Sequence, residues 1–306
     1  MYMDLRDIEY FAVIAEHGHL GRAAEALGLG QPALSISLRR LEKAAEAKLV
    51  KRTPKGVELT AVGSALLSHV GRLRLAREDL AREVADLAHG RAGHLRIGAS
   101  PANSELFLPE VCSALLMEAP KVMLNIAVLD NDALLPALRK GDLDLVVHHT
   151  PQFPLTDLTQ ELVREDEFVV YCAANHRLAK RKSLLLEDLA QERWASTTTS
   201  AYAPWRSLHR AFQDRGLPPP QTTLITESVM LKMRAVANSD LLGVSVRRNV
   251  QTVASQLRLT ILPVKNFDWV RPVAVAYRKD SYLSPAAKRF IEILKTTAKE
   301  LVAEKR

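Results

Sequence analysis

Four hydroxyl side chains stand in a row at Thr197, Thr198, Thr199 and Ser200, after an extended-looking RWAS and before a helical stretch. Hydroxyls and free backbone N–H groups at a helix start suit a carboxylate, a sulfonate or a similar anion. The same residues also serve as plain helix caps. Tyr202 and Trp205 follow closely, and Trp205 has the ring either to stack on a ligand or to fill a core. More small polar residues fall where strands are predicted to end: Ser100, Ala102 and Asn103 after one strand, Asp130 and Asn131 after the next, His148 after a third. In open α/β sheets the ligand crevice lies beyond the carboxyl ends of the strands. These positions, with Ser228, complete the expected ligand site, and its expected occupant is a small organic anion.

Catalytic patterns do not emerge. No GxGxxG follows a strand, no GxxxxGK[ST] or HExxH occurs, and GVSVR at 243–247 lacks the second glycine of a nucleophile elbow. His148 and His149 are adjacent on a strand and so point to opposite faces, which argues against a shared metal. The expectation is no catalytic residue, no cofactor and no metal. An α/β enzyme fused to a DNA-binding head is the alternative, and a nucleotide-binding loop would mark it.

A second constellation occupies residues 22–42, RAAEALGLGQPALSISLRRLE. Ala23, Ala24 and Leu27 give a first helix a small apolar face, and Gly28 and Gly30 supply a corner. Pro32 sits at a first helical position. Ala33, Leu34, Leu38 and Leu41 bury one side of a second helix, which leaves Gln31, Ser35 and Arg39 towards solvent. This is how a helix-turn-helix offers a recognition helix to a major groove. The following LVKRTPKGVELT reads as a β-hairpin wing with a basic tip, which makes Lys51, Arg52 and Lys55 phosphate partners; the plainer reading is a surface hairpin.

These residues need positioning elements. A first helix over about 5–16 buries Ile8, Phe11, Ala12 and Ala15. Thr60 caps a long helix whose apolar positions Leu66, Val70, Leu73, Leu80, Val84 and Leu87 form a heptad seam interrupted at Arg77. Such a seam packs on its own chain or pairs two copies, and its place after a DNA-binding module favours pairing. Beyond the break at His89–Gly93 the pattern becomes strand–helix alternation, which implies a largely parallel α/β sheet. The expected organisation is residues 1–60 as a winged helix-turn-helix and 61–90 as a dimerising linker. Residues 92–306 form an effector domain of two subdomains, 92–163 with 268–306, and 164–267.

The 306 residues are 47% hydrophobic with a formal charge of +7, and so can bury sizeable cores. The mean hydropathy is −0.05 and the sequence pI about 9.4. Local clustering says more than the total: seven cations against two glutamates lie between residues 39 and 55. No stretch is long and apolar enough for a membrane span, MYMDLRDIEY lacks the basic-then-apolar order of a signal peptide, and Cys112 and Cys172 form no disulfide framework. A cytoplasmic protein is expected.

Taken together, LRDIEYFAVIAEHG, RAAEALGLGQPALSISLRRLE and KRTPKGVELTAVGSALL resemble the LysR-type transcriptional regulators, and the likeness extends over essentially the whole chain. The resemblance implies a winged helix-turn-helix, a dimerising linker helix and an effector domain built like a periplasmic binding protein. It also implies promoter DNA as partner, a homotetramer, and a small inducer in the cleft between two α/β subdomains. Gln31, Pro32 and Ser35 carry over as DNA-contacting positions, with Arg52 and Thr53 at the wing; Arg22, Ile36, Arg39, Lys51 and Lys55 complete the expected set. The end, RPVAVAYRKDSYLSPAAKRFIEILK, looks like the subgroup of galactose-binding-protein regulators. Two departures stand out: Gly30 replaces a common serine, and Ile36 replaces a frequent arginine, offering a thymine methyl group an apolar contact.

Overall fold

The computed structural model describes residues 3–54, 56–89, 93–151, 155–197, 204–267, 269–279 and 281–303. The chain divides into two units, Met1–Arg82 and Glu83–Arg306.

In the first unit, α1 (Leu5–His17), α2 (Leu20–Ala26) and α3 (Gln31–Ala44) precede a ribbon of β1 (Val50–Thr53) and β2 (Gly56–Leu59). Helical spacing brings Ile8, Phe11 and Ala12, then Ala23 and Ala24, then Leu34, Leu38 and Leu41 into one core. Ala15 stays at its margin, and Ile14 is buried instead. Gly28 takes a left-handed φ of 64° and makes the corner after α2. Gly30, the N-cap of α3, is extended at φ −71°, ψ 136°, so only the first of the two expected corner glycines is required by its conformation. Gly56 answers a spatial demand. A Cβ there would lie 2.1 Å from the Gly18 carbonyl oxygen, which accepts the Val57 N–H at 2.9 Å and docks the ribbon on the α1–α2 turn.

The long helix α4 spans Ala61–His89. Thr60 caps it, its Oγ1 accepting the Gly63 N–H at 3.0 Å. The heptad positions divide between both expected fates. Val70 is buried in the first core and Leu66 packs against it, whereas Leu73, Leu80 and Val84 are 41%, 60% and 56% exposed. The side chain of Leu87 lies outside the described residues.

The second unit is built on one sheet. Strands β3 (His94–Ala99), β4 (Met123–Val128) and β5 (Leu145–His149) are parallel at one end. Strands β7 (Arg193–Ser196), β8 (Gln221–Ile225) and β9 (Leu242–Val246) are parallel at the other. Between them run two long strands, β6 (Leu158–Ala173) and β11 (Trp269–Arg278), each antiparallel to its neighbours. The order is β4-β3-β5-β11-β6-β9-β7-β8, with β10 (Leu259–Ile261) paired to the far end of β6. The sheet is therefore parallel in its two wings but antiparallel through its middle, where a largely parallel sheet was expected.

Helices cover both faces. They are α5 (Pro101–Ser104), α6 (Leu108–Glu118), α7 (Asn131–Lys140), α8 (Pro204–Gln213), α9 (Val229–Ala237), α10 (Arg247–Leu257) and α11 (Pro285–Ala303). Strand alternation sorts the core: Leu145 and Val147 of β5 face α6 and α11, while Val146 faces α7. On β6, Phe168, Val170 and Cys172 pack with Trp194 and Phe212, while Val169 and Tyr171 pack with Met233 and Val250. Helices α9 and α10 are not among the expected elements. The buried face of α9 includes Lys232, and α10 follows β9 with Val246 as its N-cap, so neither shows a clean apolar period or a break before it.

Candidate nucleic-acid interface and effector site

On α3 the outward residues are Gln31, Pro32, Ala33, Ile36, Arg39 and Arg40, with Ser35 half-buried beside them. Ile36 is 55% exposed, an isoleucine on a polar face with no core to fill. Arg39 donates from Nε to the Ser35 carbonyl at 3.3 Å, and Arg22 from Nη2 to the His17 carbonyl at 2.9 Å. The base of α3 is fixed by a group the sequence did not reveal. Buried Asp7 accepts from Ser37 Oγ and from Arg40 Nε, each at 2.6 Å, and also from Arg40 Nη2. The Arg40 guanidinium holds the Asp7 carboxyl below its ordinary range. Only contacts 30 and 33 residues apart assemble this cluster, so no local spacing announces it.

On the wing, Lys51 and Arg52 are exposed, and Thr53 donates from Oγ1 to the Gly56 carbonyl at 3.4 Å. Lys51 lies opposite Glu58 in the ladder and Arg52 opposite Val57. Lys51 thus shares its face of the ribbon with an acid, and Arg52 does not. Lys55 lies outside the described residues.

In the second unit, Ser100 and Asn103 come together at the end of β3. Asn103 Nδ2 donates to Ser100 Oγ at 2.9 Å, and Arg164 Nη2 donates to Asn103 Oδ1 at 2.9 Å. Arg164 also bonds Asp166 at 2.7 Å through Nε, and His149 Nε2 meets Asp166 at 2.9 Å. All five residues are buried, and the Arg164 guanidinium lies 3.8 Å over the Phe107 ring centre. Burial raises the Asp166 pKa, but the His149 bond and the Arg164 charge outweigh it and hold the carboxyl at about 2. Arg164, Asp166 and His149 are the functional candidates that sequence reasoning missed. The i, i+2 spacing of Arg164 and Asp166 on a strand carries no signature until Asn103, 61 residues away, is brought to them.

The other expected residues are distributed as follows. Ala102 contributes its carbonyl, which accepts from Asn249 Nδ2 at 2.8 Å. Asn131 opens α7. His148 is fully buried on the opposite sheet face from His149, and neither ring nitrogen has a partner among the described residues. Burial, then the surrounding positive charge, lowers its pKa to about 4. Thr197 is half-buried after β7, and Thr198, Thr199 and Ser200 lie outside the described residues. Ser196, just before that run, is buried with its hydroxyl unpartnered among the described residues. Trp205 belongs to the core, its ring 5.9 Å from that of Trp194. Ser228 caps α9 by accepting the Leu231 N–H at 3.2 Å.

The N-terminus of α9 is already occupied. The Glu105 carboxylate accepts the N–H groups of Val229 and Met230 at 3.0 and 2.8 Å, filling an anion site with the chain's own charge. Lys232, fully buried on α9, donates to the Val244 carbonyl at 2.8 Å, and burial lowers its pKa to about 8. Among the described residues no three metal-ligating side chains cluster, and no helix is long and apolar enough to cross a membrane.

A helix-turn-helix with a basic ribbon, joined through a long helix to an α/β unit with buried polar groups at its strand ends, defines a DNA-binding, ligand-responsive regulator. Residues 5–64 match the family described as "Bacterial regulatory helix-turn-helix protein, lysR family", and residues 88–299 match "LysR substrate binding domain". The chain belongs to the LysR family of transcriptional regulators, which are not enzymes. It is 26% identical over 298 residues to the regulator GbpR of Azospirillum brasilense, covering 97% of this chain and 87% of that one. It is 29% identical over 300 residues to AlsR of Bacillus subtilis, covering 95% of each. With two such relatives at similar identity, membership of the galactose-binding-protein-regulator subgroup does not follow. The crystal structure of full-length CbnR complexed with its target DNA aligns over 96% of this chain and 100% of that one, with TM-score 0.60 and 18% identity.

Proposed function

We propose that this regulator reads promoter DNA through α3, with Gln31, Ser35 and Ile36 at base edges in the major groove. Arg39, Lys51 and Arg52 hold phosphates, as does Lys55 at the wing tip, while Arg22, Pro32 and Thr53 flank them. The observation that carries this reading is the outward face of α3, where exposed Gln31, Ile36 and Arg39 serve no core of their own. The solved complex of CbnR with its target DNA supports it by analogy of fold.

The inducer in this reading is a small organic anion held near Ser100, Asn103 and the strand ends, between the subdomains 92–163 with 268–306 and 164–267. The buried hydroxyls of Ser100 and Ser196, with Arg164 behind Asn103, support that chemistry. Copies pair through the exposed part of α4 and assemble as tetramers in the cytoplasm. Inducer binding then shifts the population of two DNA-bound states.

A gel-shift salt series on DNA upstream of the protein's own gene tests the DNA half. Arg52→Ala should weaken binding to all sequences alike and reduce the salt slope by about one phosphate's worth. A loss confined to one operator, with the slope unchanged, would remove Arg52 from the phosphate set.

A further inference from the structure

We infer that Asn103 and Arg164 are positioning residues that fix the Ser100 hydroxyl as a one-way hydrogen-bond donor towards the effector. The inference rests on the reading of Ser100 as part of an anion site and adds how that residue is set.

The direction of each bond follows from what each group can do. A guanidinium has no acceptor, so the Asn103 atom facing Arg164 Nη2 at 2.9 Å is the carbonyl oxygen. The Asn103 amide nitrogen must then face Ser100, and it donates to Oγ at 2.9 Å. At the other end, Arg164 gives Nε to Asp166 at 2.7 Å, and the ring of His149 meets the second Asp166 oxygen at 2.9 Å. The chain therefore runs one way, from guanidinium to amide to hydroxyl. One lone pair of Ser100 Oγ is taken, and no described residue accepts its proton. That proton is what the site offers a ligand.

Charge strengthens the offer. A guanidinium bonded to the amide oxygen polarises the N–H of the same amide, and bonds in series reinforce one another where the dielectric is low. Towards Ser100, Arg164 works through Asn103: its side chain is only 6% exposed, lies over the Phe107 ring and has Nε and Nη2 committed, while Nη1 has no partner among the described residues. The backbone of Ser100 is pinned as well. Its N–H donates to the Val147 carbonyl at 3.2 Å, and its carbonyl accepts from Asn103 and Ser104 at 2.9 and 3.0 Å. The matching effector group is an acceptor without a proton of its own, such as a carboxylate or a sulfonate, and an ammonium or a protonated amide is disfavoured at this position.

The test uses the full-length protein with acetate and sulfate as probes, against chloride at equal ionic strength, read by thermal shift and calorimetric titration. Arg164→Lys keeps the charge but lacks the fork that bonds Asp166 and Asn103 together. Asn103→Leu removes the relay without changing charge. We expect each, like Ser100→Ala, to lower probe affinity about tenfold. In the Ser100→Ala background neither should lower it further, because all three remove one contact. Arg164→Lys serves as the arbiter should Asn103→Leu fail to fold. Undiminished affinity in Arg164→Lys, or losses that add to that of Ser100→Ala, would overturn the relay while leaving the anion site in place. If neither probe stabilises the wild type beyond chloride, the anion site and the relay fall together.

Discussion

Among single residues, His148 bears directly on stability in acid. It is wholly enclosed, neither ring nitrogen has a partner among the described residues, and its pKa lies near 4 where an exposed histidine titrates at about 6.5. Between those values the unfolded chain binds a proton that the folded chain refuses, so acidification favours unfolding. Stability should fall as pH drops below about 6.5 and the loss should level off below about 4, at on the order of 3 kcal/mol from this residue. Denaturant titrations of wild type and His148→Leu across that range should differ in slope, the variant being flatter; parallel profiles would contradict the assignment. The neighbouring His149 is also lowered by burial, so some acid sensitivity should remain in the variant. The sequence showed that the two histidines face opposite sides, because strand alternation is a local property. It did not show that His149 joins Asp166 while His148 is left alone, since strand pairing across long separations decides that. Gln31, Ile36 and Arg39 were legible for the converse reason: their exposure follows from helical period within one element.

Among the elements, the boundary of α3 contains an unused opportunity. Gly30 caps the helix in an extended conformation open to any residue, contributes no side-chain bond, and a Cβ there would make only ordinary contact, 3.7 Å from Pro32 Cδ. Gly30→Ser should add a capping bond and remove disorder from the unfolded chain, raising stability by about 0.5–1 kcal/mol in chemical denaturation. No gain, or a loss, would mean that the serine hydroxyl does not reach the first-turn N–H groups. The wing behaves oppositely, since Gly56 presses against the Gly18 carbonyl and cannot be replaced without moving the ribbon. Element boundaries set by caps and turns, such as Thr60 before α4, were readable in advance. The unexpected helices α9 and α10 were not, because tertiary burial of Lys232 and Asn249 places polar residues on faces that periodicity would assign to water.

For the molecule as a whole, α4 carries an apolar stripe that nothing described in one chain covers. Leu80 and Val84 are more than half exposed on a helix of 29 residues, and a helix with such a face is stabilised by a partner. Leu80→Asp with Val84→Asp should raise the dissociation constant of self-association by about a hundredfold, seen by sedimentation velocity as a shift to smaller species at micromolar concentration. An unchanged distribution would remove α4 as the proposed pairing surface. The change from helices to strand–helix alternation was legible because the two stretches differ in local pattern. The antiparallel middle of the sheet was not, since β6 and β11 read locally like any other strand. Those two strands have a mechanical consequence. Each runs unbroken along the middle of the sheet, with a register shift between Val273 and Ala274, beside Arg164. Reorientation of the sheet's two ends would twist these two continuous strands, and the irregular pairing marks a place of increased local twist. A twisted ribbon resists elastically, so such a reorientation would be opposed by the backbone of β6 and β11 themselves.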